Sequence, residues 1–288
     1  MAERRFEFGS NWNSFLETLD GGRINRARES LISLLRLDTS TETPLTGKTF
    51  LDLGCGSGLF SLAAYRLGAH VTSIDYDTQC VACTEALRER EHADRERWIL
   101  RQGSAIEQPF MRTLGQFDVV YSWGVLHHTG EMATGIQFAS QRVEADGLFA
   151  IAIYNDQGGA SRRWLSIKKL YNRLPKLLRP CWVVCVASFY ECRFALARLA
   201  SGRNPLPFAD WRAKREDRGM SAWHDWVDWV GGLPFEVAKP ESIINPMIRN
   251  GFDLTNLTTV GSGWGCNEYV FRRSKSERSE QRQEPARE

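Results

Sequence analysis

Residues 49–58 read Thr-Phe-Leu-Asp-Leu-Gly-Cys-Gly-Ser-Gly, and this stretch decides the fold. The apolar run from 49 to 53 is typical of a short buried strand, and the residues after Ser57 have the apolar spacing of a helix. Three glycines at alternate positions lie in between, where the main chain can take positive φ and a ligand can approach bare backbone. The stretch therefore predicts a strand, a tight loop and a helix N-terminus that favours a small polar or anionic ligand.

Strand-like and helix-like runs alternate from residue 49 onward with short connections. The predicted strands are 49–53, 69–74, 97–102, 117–122 and 148–153, and the helices between them are 58–67, 78–91, 107–114 and 131–144. Two more strand-like runs, 252–259 and 268–272, follow a helix at 240–249. We expect an α/β fold with a Rossmann-like, doubly wound, seven-stranded sheet, mostly parallel with an antiparallel last strand, and a ligand at the strands' carboxyl ends.

Shifts in composition divide the chain into segments. We expect an N-terminal helical cover at 1–47, a core at 48–156 and 240–273, and a disordered tail at 274–288. A helical, basic and tryptophan-rich insertion at 157–239, between the fifth strand and the last helix, would form a lid. Within the cover, Asn13 or Ser14 could open a short helix through Leu19, which Gly21 and Gly22 are predicted to break before a helical stripe at 24–37. The cover either packs on the sheet edge or closes over a ligand through Phe8, Trp12 and Phe15.

The composition is that of an ordinary soluble globular protein, with 42% hydrophobic and 25% charged residues and a net charge of +2. Seven cysteines show no disulfide or zinc spacing, and Cys80 and Cys83 fall within one helix. We therefore expect no metal and a reducing cytoplasm. No apolar segment follows Met1, so no signal peptide is predicted. The longest apolar stretch, 180–190, is shorter than the roughly 20 residues that span a bilayer.

Asp75 ends the second predicted strand, 21 residues after Gly54. An acid at about this distance binds the ribose hydroxyls in nucleotide-binding βαβ units. Tyr76 would then lie against an adenine face. The alternative is that Asp75 caps the helix that begins near Thr78, and the two roles are compatible.

The glycine spacing argues against a dinucleotide, because Leu59 stands at the sixth position and the third glycine comes one place early, at Gly58. Instead, residues 52–58 resemble motif I of the class I S-adenosylmethionine (SAM) dependent methyltransferases, whose loop holds the methionine part of the cofactor. Residues 117–128, Phe-Asp-Val-Val-Tyr-Ser-Trp-Gly-Val-Leu-His-His, resemble the fourth strand of this class and the segment after it. With Asp75 between them, both motifs match in order and spacing.

The resemblance implies SAM as cofactor and S-adenosylhomocysteine as product. The family often has an acid near the adenine at the corner that Ser104 occupies here. The sequence Ser122-Trp123-Gly124 lacks both the Asn/Asp-Pro-Pro-aromatic motif of base amine methylation and the cysteine of RNA cytosine C5 enzymes. The residues expected to bind the cofactor are Asp52, Gly54, Cys55, Gly56, Gly58, Asp75, Tyr76, Ser104, Ala105, Ser122 and Trp123.

Methyl transfer to a phenol-type oxygen benefits from a base, and histidine titrates in the right range. The candidates are His127, His128 and His224, with packing or helix capping as the alternative for His128. The predicted acceptor contacts are Trp12, Tyr154, Asn155, Asp156 and Trp223. Asn155 and Asp156 could equally cap the next helix, and a repeat such as Trp223, Trp226, Trp229 is more often packing than an aromatic wall for a substrate.

Seven lysines and arginines and no acidic residue lie between Gln157 and Tyr190, interleaved with apolar side chains. Such a pattern can cap an active site, contact an anionic membrane through residues 160–200, or follow a phosphate backbone. The core resembles the ubiquinone-biosynthesis O-methyltransferase and benzoquinol methylase group. This resemblance implies a small-molecule acceptor, a hydroxyl of an aromatic, quinol-like or lipidic compound, rather than nucleic acid. An RNA or tRNA methyltransferase and a non-catalytic SAM-binding regulator are the alternatives, and the oligomeric state is left open.

Overall fold

A computed structural model describes residues 19–207 and 222–275. The chain divides into two compact units, residues 20–156 with 236–288 and residues 1–19 with 157–235. The first contains the sheet, and the second is helical where it is described. The predicted insertion, 157–239, ends four residues later than this division. Trp12 and the predicted tail from 276 onward lie outside the described residues.

The sheet unit follows the alternation that the sequence predicts. Its strands are β1 (Thr49–Leu53), β2 (His70–Asp75), β3 (Trp98–Gln102), β4 (Phe117–Trp123), β5 (Val143–Tyr154), β6 (Phe252–Thr258) and β7 (Cys266–Arg273). Its helices are α1 (Gly21–Leu35), α2 (Leu59–Arg66), α3 (Thr78–Arg90), α4 (Gln108–Arg112), α5 (Met132–Ser140) and α9 (Pro240–Arg249). A 3-10 turn, Leu126–His128, follows β4. The helical unit contains α6 (Gly159–Arg173), α7 (Arg179–Ala200) and α8 (Ala222–Gly231).

The seven strands form one sheet in the order β3-β2-β1-β4-β5-β7-β6. The pairs from β3 to β5 are parallel, whereas β7 runs antiparallel between β5 and β6. The predicted Rossmann-like sheet with its antiparallel last strand is therefore confirmed. This order reverses direction at β1, so the carboxyl ends of β1 and β4 form the crevice where ligands bind in such sheets.

The helix predicted over 24–37 begins three residues earlier, at Gly21, and the short helix predicted before it falls on residues up to 18 that lie outside the described ones. Gly21 and Gly22 both lie in the first turn of α1, which begins directly after Asp20. The Asp20 carboxylate accepts a hydrogen bond of 2.8 Å from the Arg23 N–H and so caps the helix. A good N-cap compensates for the low helix propensity of glycine at positions where the N–H groups need no partner within the helix.

Both faces of the sheet are covered. The larger core holds Leu51, Leu53, Val120, Phe149 and Ile151 with residues of α5 and α9. On the other face α1 packs against α2, and Leu31 is fully buried. Apolar residues at successive strand positions therefore enter opposite layers, which fixes the register of each strand.

The helical unit has its own small core. Val183 and Val186 of α7 pack with Trp164 of α6, and the Trp164 ring stacks on Tyr190 at 5.0 Å. The fully buried Lys168 donates to the Trp229 carbonyl over 2.6 Å. The stripe of tryptophans in α8 thus includes packing residues, with Trp226 and Trp229 partly buried and Trp223 44% exposed.

Candidate functional site

The glycine loop joins β1 to α2 with three left-handed residues. Gly54, Gly56 and Gly58 have φ of 81°, 55° and 78°. The N–H groups of Gly54 and Cys55 both donate to the Ile74 carbonyl, which ties the loop to the end of β2. A Cβ at Gly54 would lie 2.4 Å from both methyl groups of Val125. Only glycine fits there, since the residues after β4 approach the loop backbone directly.

Asp75 lies at the carboxyl end of β2 and is half-buried. Its two oxygens accept the N–H groups of Gly56 and Asp77, at 3.0 and 2.9 Å. Burial raises the pKa of this carboxyl, although both hydrogen bonds act in the opposite direction. The helix α3 is capped instead by Asp77, whose carboxylate accepts from the Gln79 N–H over 2.9 Å. The capping alternative for Asp75 is therefore wrong, and its carboxylate is instead fixed against the glycine loop.

Asp52 is 2% exposed and lies between the sheet and α2. Its carboxylate accepts from the Ser61 hydroxyl over 2.5 Å. Ser61 in turn accepts from Ser73 at 2.7 Å, and Ser73 accepts from the indole N–H of Trp98 at 2.7 Å. Burial raises the pKa of Asp52 to about 7. The structure thus shows internal partners for Asp52, and its contact with a cofactor remains a prediction.

The other predicted cofactor residues differ in how open they are. Cys55 is buried beside the Thr84 hydroxyl (3.3 Å), and burial raises the pKa of its thiol. Tyr76, next to Asp75, is 59% exposed. The Ser122 hydroxyl donates to the Leu53 carbonyl, which joins β4 to β1. Tyr76 therefore offers an open aromatic face, whereas the Cys55 thiol contacts Thr84 and the Ser122 hydroxyl holds the backbone of β1.

The remaining three lie at strand ends. The Ser104 hydroxyl accepts from the Ile106 N–H over 3.4 Å, and Ala105 packs against the main core. The indole N–H of Trp123 donates to the Glu268 carboxylate over 2.7 Å, and 39% of Trp123 is exposed. Glu268 thus fixes an exposed aromatic ring at the end of β4.

The two adjacent histidines have different environments. His127 is fully buried and its ring lies 3.9 Å from that of Tyr154. Its Nδ1 accepts a long hydrogen bond (3.4 Å) from the Tyr154 N–H. His128 is half-buried and meets the Tyr154 ring edge-on at 5.4 Å. Of the pair, only His128 is open to an acceptor; the side chain of His224 lies outside the described residues.

The predicted acceptor contacts are only partly brought together. Tyr154 lies beside both histidines, but the side-chain amide of Asn155 is occupied. It donates to the Gly261 carbonyl at 2.8 Å and accepts from Asn267 at 3.1 Å. The Asp156 N–H donates to the Ala238 carbonyl. Asn155 thus anchors the link between β6 and β7, and contacts of Trp12 and Trp223 with an acceptor stay predictions.

Glu236 was missed by the sequence interpretation. Its N–H donates to the His127 carbonyl at 2.9 Å, and its carboxylate accepts from the Met132 N–H at 3.0 Å. Burial raises the pKa of this carboxyl. Glu236 thereby holds the turn that carries the histidines and the start of α5. No motif or periodicity marks it, because its partners are backbone groups a hundred residues earlier.

These residues fit a nucleoside cofactor. The loop presents backbone with positive φ, and a fixed carboxylate and an open aromatic ring follow one another at the end of the next strand. Carboxylates accept sugar hydroxyls, and aromatic faces stack on bases. Among residues 19–207 and 222–275, no group of three or more His, Cys, Asp or Glu side chains is arranged to hold a metal.

Comparison with known proteins agrees with this geometry. Residues 51–149 match the family model described as "Methyltransferase domain". A ubiquinone biosynthesis O-methyltransferase of Caulobacter sp. (strain K31) is 29% identical over 135 residues, which cover 46% of this chain and 51% of that protein. A tRNA U34 carboxymethyltransferase of Cronobacter sakazakii is 41% identical over 87 residues, 30% of this chain and 26% of that protein.

Among solved structures, an O-methyltransferase family protein from Burkholderia thailandensis has a TM-score of 0.51 at 13% identity, covering 88% of this chain and 55% of that one. At this identity the likeness shows the fold alone. This chain spans about half the length of the first curated relatives it matches.

The sheet order, the glycine loop and the matched family model together define residues 51–149 as a class I methyltransferase domain. Its cofactor is S-adenosylmethionine. The domain is similar to that of the ubiquinone biosynthesis O-methyltransferases.

Proposed function

We propose that this protein transfers the methyl group of SAM to a hydroxyl of a small aromatic, quinol-like or lipidic molecule. The observation that carries the proposal is the position of His128. It is half-buried beside Tyr154, on a segment whose Val125 lies directly against Gly54 of the glycine loop. The proposed base thus lies close to the loop proposed to hold the cofactor. The relatives named as O-methyltransferases support an oxygen acceptor.

The cofactor would be held by the glycine loop, by Asp75 and by Tyr76. The loop leaves room for close approach of the methionine part, and Asp75 would accept the ribose hydroxyls with the lone pairs that Gly56 and Asp77 do not use. When bound, SAM supplies a methyl group activated by a positively charged sulfur. Orientation of the two reactants and exclusion of water are the main contributions the protein makes to such a transfer.

His128 would accept the proton of the acceptor hydroxyl on an imidazole nitrogen. His127 is unsuited to this step, since it is fully buried and its Nδ1 and carbonyl already accept hydrogen bonds. Tyr154 and the partly exposed Trp123 offer aromatic surface at the same strand ends. Flat aromatic acceptors would stack there.

The test is incubation with methyl-labelled SAM and separate pools of phenols and quinols, polar lipids, and RNA. We expect label in the first or second pool. His128→Gln should lower turnover by about 10²- to 10⁴-fold, the usual contribution of a general base, while the Kd for SAM stays unchanged by calorimetry. Full turnover by this variant would remove His128 as the base, and absence of SAM binding by the wild type would overturn the whole proposal.

Methylation of tRNA is the second candidate. It is favoured by the similarity over 87 residues to the tRNA U34 carboxymethyltransferase and by the exposed basic residues of α6. Label in the RNA pool would support it. Label in no pool, with SAM bound, would favour a non-catalytic regulator.

We also propose a cytoplasmic location with peripheral membrane contact. All seven cysteines lie in the described ranges and none forms a disulfide, as expected in a reducing compartment. Across residues 19–207 and 222–275, no helix combines the length and the apolar character needed to cross a bilayer.

A further inference from the structure

The connection between α6 and α7 carries leucines that are open to solvent. Leu177 is 87% exposed, Leu178 is 49% exposed, and Leu170 in the last turn of α6 is 42% exposed. We call the exposed residues between 169 and 178 the hairpin tip. Single exposed leucines are ordinary on protein surfaces, but three within nine residues at one turn form a local apolar projection.

Basic side chains surround these leucines. Lys169, Arg173 and Lys176 are all exposed, and the segment 157–190 contains no acidic residue. In the part of the chain that the structure describes, these three make no ion pair with a carboxylate. Arg179 differs, since its guanidinium donates to the Leu174 and Asn172 carbonyls. The tip is therefore apolar at its end and positively charged at its sides.

The apolar surface continues along α7. Val184, Phe189 and Leu196 are 51%, 59% and 66% exposed. The opposite side of the helix, with Val183 and Val186, packs against Trp164. The helix thus buries one apolar face in the unit's own core and exposes a second one from Val184 to Leu196, over about 18 Å of its length.

We propose that the hairpin tip docks on the surface of an anionic lipid bilayer, with Leu177 and Leu178 entering the apolar region below the headgroups. The charge complementarity points to this partner, because lysine and arginine pair with anionic headgroups while adjacent leucines bury in the acyl boundary. RNA would use the basic residues but would leave both leucines in water. The proposal is independent of methyl transfer, and failure of either leaves the other standing.

The test is flotation of the full chain with two kinds of vesicle, phosphatidylcholine alone and an equal mixture of phosphatidylcholine and phosphatidylglycerol. We expect binding to the anionic vesicles only, weakened by salt. Arg173→Gln with Lys176→Gln should lower the partition coefficient roughly 20- to 30-fold, at about fivefold per charge. Leu177→Ser with Leu178→Ser should lower it at least as much. The matched controls, Arg162→Gln with Arg163→Gln at the start of α6 and Ile248→Gln on α9, should change it less.

Circular dichroism and SAM affinity should stay unchanged in every variant, which excludes misfolding as the cause of lost binding. Equal binding to both kinds of vesicle, no binding to either, or unchanged binding by the tip variants would overturn the proposal. So would retention on RNA that the tip variants abolish without any vesicle binding. A dimer in solution that Leu177→Ser with Leu178→Ser dissociates, without vesicle binding, would assign the face to a second copy and overturn the proposal as well.

Discussion

Replacing Asp52 by Asn should flatten the dependence of stability on pH. Asp52 is 2% exposed, and burial raises its pKa from 3.8 to about 7. Because the pKa is higher in the folded state, folding favours the protonated form. Stability from this group is complete below the unfolded pKa and is lost as pH rises through the folded pKa. Asn at this position keeps an oxygen that can accept from Ser61, but it cannot ionise.

The magnitude follows from the two pKa values. Between them each pH unit lowers the free energy of unfolding by about 1.4 kcal/mol. A rise from about pH 5 to about pH 8 crosses the upper part of this interval. Ionisation of Asp52 should therefore lower the free energy of unfolding of the wild type by about 3 kcal/mol. The variant should lack this loss. Other titrating groups act on both proteins and cancel when the difference between them is compared at the two pH values.

The assay is urea unfolding of both proteins at about pH 5 and pH 8, read by circular dichroism. Relative to the wild type, the free energy of unfolding of the variant should rise by about 3 kcal/mol from the lower to the higher pH. Asp118→Asn provides a control that should show no such change, because the hydrogen bonds from Lys48 and Thr49 outweigh burial and lower the pKa of Asp118, so this carboxyl is ionised in the folded and the unfolded state at both pH values. Parallel stability profiles for the wild type and Asp52→Asn would show that Asp52 ionises freely in the fold and would refute the reasoning.

Two further substitutions probe how the segments around the loop are held. Gly54→Ala should lower the free energy of unfolding by about 2–4 kcal/mol, because the added Cβ would lie 2.4 Å from Val125 and the φ at this position is 81°. Adding Val125→Ala should restore part of this loss in urea unfolding, and no such gain would contradict the contact. Glu236→Ala should cost about 1–2 kcal/mol, because it leaves the Met132 N–H without its carboxylate acceptor, and Glu236→Gln should cost less; equal losses in thermal unfolding would argue against this role.

The sequence was sufficient for the elements that repeat along the chain. Apolar runs such as β1 and the glycines of the loop are local signals in the sequence. The alternation of strands and helices then allows only a few sheet topologies. The sequence also predicts that the Asp75 carboxylate lies near the glycine loop, because the length of one βαβ unit sets its distance from Gly54. The sequence does not predict which residue caps α3, since Asp75 and Asp77 have the same side chain and lie two residues apart. Only the backbone geometry shows that Asp77 accepts from Gln79.

The contacts that the sequence could not give join distant segments. Glu236 reaches the backbone of Met132, and Asn155 is fixed by Gly261 and Asn267. None of these pairs has a spacing that a period or a motif would reveal. In both cases the hydrogen-bonding atoms of the polar side chain hold another segment of the protein. A polar residue at the right edge of a sheet is therefore a weaker sign of binding than its chemistry suggests.

The two histidines show why a motif can locate a site without assigning its roles. They lie on a 3-10 turn, in which successive side chains point about 120° apart. Once this turn packs against β5, one of two neighbours must face inward. His127 does so, with its ring 3.9 Å from Tyr154, and this leaves His128 toward the open side. The same packing that buries His127 therefore fixes the direction of His128, so one structural cause explains why His127 is buried and His128 is partly exposed.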